Sequence, residues 1–205
     1  GDNVTVDVFE YKIGEKSMDH VKTVTDWNVY SADGLALLGD GAFVLTNDHS
    51  AKDFNFEQRK ELDMILGGGN VVRCTALEPG QVATHNSLRF LNSLARGHDG
   101  LIYVPSLTEG FLRVYQLERS GKLREVDQIP IGIQVDNLFA ACLTSLVEVF
   151  GALGDPPSKH STSSIFRICK TDESYETVKV VENRGKRVLS GAFTATHDVR
   201  TGRLF

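Results

Sequence analysis

The sequence predicts an all-β fold, and two observations carry that expectation. Short β-rich runs recur along the 205 residues, each closed by a turn signal, at a spacing of about 8–12 residues typical of sandwiches, barrels and propellers. Asn47, Asn92 and Asn137 stand at equal intervals of 45 positions. A repeat of roughly 40–50 residues is the length of one four-stranded propeller blade. At ~45 residues per blade the chain carries about four to five blades' worth of sheet.

The elements follow in order. Residues 4–13 alternate apolar and polar, and Gly14-Glu15-Lys16 turns the chain. Residues 42–45 form a short apolar run after Gly39-Asp40-Gly41. Residues 70–74 follow the triple glycine Gly67-Gly68-Gly69, which reads as a flexible turn. Residues 101–104 follow Asp99-Gly100, and residues 111–117 follow Glu109-Gly110. Such dipeptides suit tight hairpins. Residues 164–169 and 177–181 are β-rich, and Thr201-Gly202 opens a last strand. One helix is expected at 53–66, where Phe54, Leu62 and Ile65 sit near helical spacing. Its charged residues Glu57, Arg59, Lys60, Glu61 and Asp63 read as a solvated face. Residues 151–163 read as an exposed loop rather than a linker. One partial propeller domain over 1–205 is expected.

Composition narrows the function classes. The chain is 41% hydrophobic and 24% charged with net charge −5, which reads as soluble and globular. No Lys/Arg cluster marks a nucleic-acid footprint. No apolar run approaches the ~20 residues of a membrane-spanning helix. The three cysteines, Cys74, Cys142 and Cys169, match no zinc spacing and no disulfide framework. The abrupt start on strand-like sequence suggests processing or a piece of a longer chain.

The chemistry-bearing residues are oxygen donors. Asn47 is followed by Asp48, and Asn137 is preceded by Asp136. Asn47, Asn92 and Asn137 each offer a neutral carbonyl oxygen, and Asp136 adds a charge. Oxygen-only sets suit calcium rather than zinc or copper. For a single asparagine an Asx-turn at a blade corner is the simpler reading; the four together are read as ligands of an ion in the light of the family resemblance given below. His197-Asp198 invites a Ser/His/Asp reading, but no G-x-S-x-G elbow exists. The triple glycine is no phosphate loop, because no Lys-Ser/Thr follows it. His49 reads as a loop histidine.

Several stretches resemble the serum paraoxonase/arylesterase family. They are FEYKIGEKSMDHVKTV at 9–24, VLTNDHS at 44–50, LRFLNS, DGLIYV and LRVYQLE within 88–118, VDNL at 135–138, and RVLSGAFTATHDVRTGRLF at 187–205. The last is most similar to fungal members. The resemblance implies a six-bladed propeller with a catalytic calcium, a second structural calcium, and hydrolysis of small lactones and aryl esters. It implies Asn47, Asn92, Asp136 and Asn137 as ligands of the first ion and Asp48 as a ligand of the second. It further implies His20 as the second member of a catalytic histidine dyad and Phe90 as a pocket-wall aromatic. Ser93 stands where the family motif has glycine. The family's glutamate ligand, the aspartate beside it and the first dyad histidine match no position of this chain. A companion chain or self-association is therefore expected to complete the ring, and a secreted or extracellular setting is implied. Two other readings stay open. One is a non-catalytic, calcium-stabilised propeller fragment used in binding. The other is a different propeller enzyme, of gluconolactonase or strictosidine-synthase type. His20 also stays open between a catalytic role and that of a surface histidine.

Overall fold

The structure is a computed structural model that describes residues 4–50, 62–63, 65–75, 78–85, 87–132, 135, 137–140, 146–152, 163–171, 174–183, 197–198, 201 and 203–204. For some strand residues, Asn137 among them, only the backbone is described. The described chain is built from antiparallel sheets in sequence order. Strands β1 (Thr5–Tyr11) and β2 (Met18–Thr25) form a hairpin. Strands β3 (Ala32–Gly39), β4 (Ala42–Asn47), β5 (Asn70–Cys74) and β6 (Gln81–Val82) form a four-stranded meander. A second meander joins β7 (Ala95–Arg96), β8 (Ile102–Pro105), β9 (Phe111–Leu117) and β10 (Leu123–Pro130). A third joins β11 (Asn137–Ala140), β12 (Leu146–Ala152), β13 (Ser163–Lys170) and β14 (Tyr175–Asn183). A short pair, β15 (His197–Asp198) and β16 (Arg203–Leu204), follows.

Successive side chains of a strand point to opposite faces, and the middle strands bury both. Phe43 and Leu45 of β4, with Val72 and Cys74 of β5, face the β1–β2 hairpin and meet Val4, Val6 and Val24. Val44 and Val71 face the other way and pack on Ile102, Val104 and Tyr115 of the second meander. In turn Tyr103, Leu112 and Val114 face Phe166 and Ile168 of the third. This two-sided burial explains the apolar runs at 42–45 in β4 and 102–104 in β8. The first strands of the three meanders lie together, β3 against β7 and β7 against β11. Gly34 of β3 makes the closest approach. A Cβ there would lie 2.4 Å from the Cα of Ser93, so only glycine lets the two backbones meet.

Of the helix expected at 53–66, Leu62, Asp63, Ile65 and Leu66 are helical, and Gly67 N–H donates to Asp63 O at 2.9 Å. Residues 51–61 and Met64 lie outside the described residues. The expected loop at 151–163 is corrected at its ends, because Gly151 and Ala152 finish β12 and Ser163 starts β13; the rest lies outside the described residues. No described helix is long and apolar enough to cross a membrane.

Candidate functional site

Strand β4 delivers Asn47, Asp48 and His49 to one end of the first meander. Asn47 is fully buried. Its Oδ1 accepts the backbone N–H of Tyr30 at 3.1 Å and of Ser31 at 3.0 Å. Its Nδ2 donates to Asn28 O at 2.7 Å and to Asn70 Oδ1 at 2.9 Å. Asn70 is its register partner on β5 and donates onward to the Tyr30 hydroxyl at 2.7 Å. The two buried asparagines therefore tie the loop before β3 to the ends of β4 and β5. The Asp48 carboxylate accepts the Ser31 hydroxyl and contacts His49 Nδ1. His49 is buried and packs its ring on Phe90, with centroids 4.8 Å apart.

A second carboxylate, Asp63, is buried beside this loop and accepts from Ser50 N–H at 2.8 Å and Ser50 Oγ at 2.7 Å. Asp63 thus departs from the solvated helix face expected of it. The triple glycine is also corrected. A Cβ on Gly68 would stand 2.6 Å from Asp63 Oδ1, and one on Gly69 would stand 2.7 Å from Asn47 O. Both amides donate to Leu88 O, at 3.0 and 2.9 Å. The segment is not a free turn but a backbone wedge whose lack of side chains makes room for the site.

The opposing wall is the segment before β7. Phe90 and Ser93 both hold φ of +42°, a left-handed backbone that non-glycine residues rarely adopt. Ser93 therefore keeps the geometry expected of the glycine it replaces. Its N–H donates to Asp33 Oδ2 at 3.0 Å, and its Oγ accepts Leu138 N–H at 3.3 Å. Partial desolvation raises the Asp33 carboxyl above its ordinary value, opposed by the Ser93 N–H and reinforced by the nearby Asp48. Burial likewise raises the Tyr30 phenol, with Asp63 and Asp48 adding to it against the Asn70 hydrogen bond. Asn92 precedes Ser93 and donates its N–H to Pro105 O at 3.5 Å.

Sequence reasoning did not single out Tyr30, Ser31, Asp33 or Asn70. The only signal for Asn70 is its place opposite Asn47 once β4 and β5 are paired. Asp33 has none, since its partner Ser93 lies 60 positions away.

His20 stands elsewhere, on β2, in a trio with Asp7 and Thr23. Thr23 Oγ1 donates to Asp7 Oδ1 at 2.5 Å, and His20 Nε2 lies 3.1 Å from Thr23 Oγ1 and 3.3 Å from Asp7 Oδ1. With the hydroxyl proton given to Asp7, the imidazole proton sits on Nε2 and Nδ1 is left as acceptor. The Thr23 and His20 hydrogen bonds hold the Asp7 carboxyl below its ordinary value. Phe9 meets the His20 ring edge-on at 5.3 Å.

The donor set at the end of β4 is oxygen-rich, as a hard cation requires. Both acceptor directions of Asn47 Oδ1 are taken by amides, so ligation through that oxygen requires Tyr30 or Ser31 N–H to give way. Asp136 lies outside the described residues, as does the side chain of Asn137. Among the described residues no three His, Cys, Asp or Glu side chains form a metal-binding group.

Comparison with known proteins places this architecture. The family model described as Arylesterase matches residues 2–204. The chain is 28% identical over 202 residues to mouse (Mus musculus) serum paraoxonase/arylesterase 1, covering 94% of this chain and 55% of the mouse protein. It is 26% identical over 202 residues to human (Homo sapiens) serum paraoxonase/arylesterase 2, and 25% identical over 204 residues to the chicken (Gallus gallus) protein of that name, with the same two coverages. The chain thus spans about half the length of the curated relatives it matches. With the family match running from residue 2 to residue 204, the chain belongs to the arylesterase family.

Proposed function

We propose that this chain forms the larger part of a calcium-dependent hydrolase of aryl esters and lactones, built on a six-bladed propeller and working outside the cell. The observation that carries the reading is the family match over residues 2–204. Supporting it, three meanders follow one another with their first strands adjacent, as blades do around an axis. The relatives are named as serum paraoxonases/arylesterases, proteins of serum acting on aryl esters.

In this reading Asn47, Asn92, Asp136 and Asn137 hold one Ca²⁺, and Asp48 belongs to a second. The ion's contribution is that of a Lewis acid toward an ester carbonyl. The chain's own residues do the rest. Phe90, seated on His49, supplies an apolar wall for the substrate. Asp33 and Ser93 fix the segment that carries Asn92. His20, oriented by Asp7 and Thr23 with Nδ1 as acceptor, takes a proton from water or from a partner base.

Phe9, Tyr11, Met18, Val21, Leu35 and Leu37 expose large apolar side chains on β1 to β3. A patch of this kind calls for cover, and the remaining length of such a protein, in the same chain or a companion, would supply it. The test is hydrolysis of phenyl acetate and of δ-valerolactone by the complete protein. Turnover of both supports the reading. Absence of both in calcium-loaded, folded protein contradicts it and favours a binding role.

A further inference from the structure

Away from the Asn47 cluster, a cleft of about 420 Å³ opens between the outer strands of the first two meanders. Its sides are Ala83, Thr84 and His85 after β6, and Lys122, Leu123 and Glu125 of the neighbouring sheet, with Tyr115 of β9 also lining it. The two sheets are bolted together there by Leu123 N–H donating to Ala83 O at 2.9 Å. The size falls within the range of small-molecule pockets, as does the mix of apolar wall and few polar groups.

Tyr115 is only 2% exposed, and its hydroxyl makes no well-formed hydrogen bond among the described residues, with only a long or poorly aligned approach to the Glu125 carboxylate. A buried hydroxyl so poorly satisfied costs stability and calls for an explanation. Burial pushes the phenol well above its ordinary pKa, so it remains an O–H donor. Glu125, close enough to act on it electrostatically, is already held by Arg113 Nη1 at 2.8 Å and Gln128 Nε2 at 2.6 Å. At the mouth, Lys122 Nζ donates to Val82 O at 2.7 Å and has two further N–H donors to give. Ser87 Oγ lies 2.8 Å from His85 Nδ1; when the hydroxyl donates, Nε2–H becomes a second donor beside Lys122. The cleft therefore pairs one buried hydroxyl inside with one ammonium and one imidazole N–H donor outside, across an apolar wall.

We propose that this cleft is a second ligand site that takes a small hydroxy carboxylate. The ligand's hydroxyl accepts from Tyr115 and donates to Glu125, and its carboxylate meets Lys122 and His85. The site lies between outer strands, so its occupancy does not depend on hydrolytic activity.

Calorimetric titration of 4-hydroxybutyrate, with butyrate as the probe lacking the hydroxyl, tests this on wild type, Tyr115→Phe and Lys122→Gln. Wild type is expected to bind 4-hydroxybutyrate saturably and butyrate roughly fivefold more weakly, the worth of one hydrogen bond. Tyr115→Phe should erase the difference between the probes. Lys122→Gln should weaken both by roughly fivefold or more. Tyr115→Phe should keep or raise the melting temperature, since it removes only a poorly satisfied hydroxyl. The proposal is overturned by no saturable binding to wild type, by equal affinity for the two probes, or by variants that bind like wild type. A melting temperature that falls by several degrees in Tyr115→Phe also overturns it, by showing the hydroxyl already bonded within the fold.

Discussion

Asn47 and Asn70 stand opposite each other on β4 and β5, both buried, with Asn47 Nδ2 donating to Asn70 Oδ1 at 2.9 Å. The pair makes the end of the first meander a fixed platform. Asn47→Ala removes the side chain that satisfies the Tyr30 and Ser31 amides and the Asn28 carbonyl, and takes one hydrogen bond from Asn70 Oδ1. The expected loss is about 2–4 kcal/mol of unfolding free energy, measured by urea titration. Asn47→Asp should lose a comparable amount, because its second oxygen faces Asn28 O and Asn70 Oδ1. Wild-type stability in Asn47→Ala would show that the network carries little.

Gly34→Ala should destabilise by about 1–3 kcal/mol or more, since the new Cβ meets backbone that cannot rotate away. The clash is at Ser93, next to Asn92, so the variant should also weaken calcium binding. Thermal unfolding with a calcium titration checks both, and unchanged values would place β3 farther from Ser93 than described.

Acid sensitivity should come partly from Asp99. Burial alone would raise its carboxyl, but Tyr103 O–H, Leu101 N–H and Lys170 hold it below the ordinary 3.8. A carboxylate with a lower pKa in the folded state stabilises fully above its unfolded value. That contribution is lost as pH falls from about 3.8 through the lower folded value. Asp99→Asn should therefore flatten the stability profile below pH ~4. An unchanged profile would remove Asp99 from the account.

His20→Ala should lower kcat toward phenyl acetate without changing calcium affinity, since His20 acts on a proton and not on the ion. Asp7→Asn weakens the acceptor that holds Thr23 and the imidazole in place, and should lower kcat in the same direction. A histidine of purely structural role would leave kcat unchanged in both variants.

The fold was legible where strands bury both faces. The apolar run at 42–45 and the runs after turn signals at 70–74 and 111–117 mark β4, β5 and β9, the last two to the residue. Strand β3 escaped because Leu35 and Leu37 lie on an exposed face while Ala36 and Leu38 pack inward. Strand β10 escaped because charged residues such as Arg124 and Asp127 interrupt its pattern and a register shift falls between Glu125 and Asp127. At the candidate site, Asn47 and Asp48 stand out through their sequence motif, on which their proposed role rests. Asp33 and Asp63 do not, because the Ser93 and Ser50 groups that hold them lie 60 and 13 positions away.

The most direct measurement is phenyl acetate hydrolysis by the complete protein before EDTA, after EDTA, and after calcium is restored. The account predicts turnover that EDTA abolishes and calcium recovers. Turnover that survives EDTA would contradict the metal-dependent site at the end of β4.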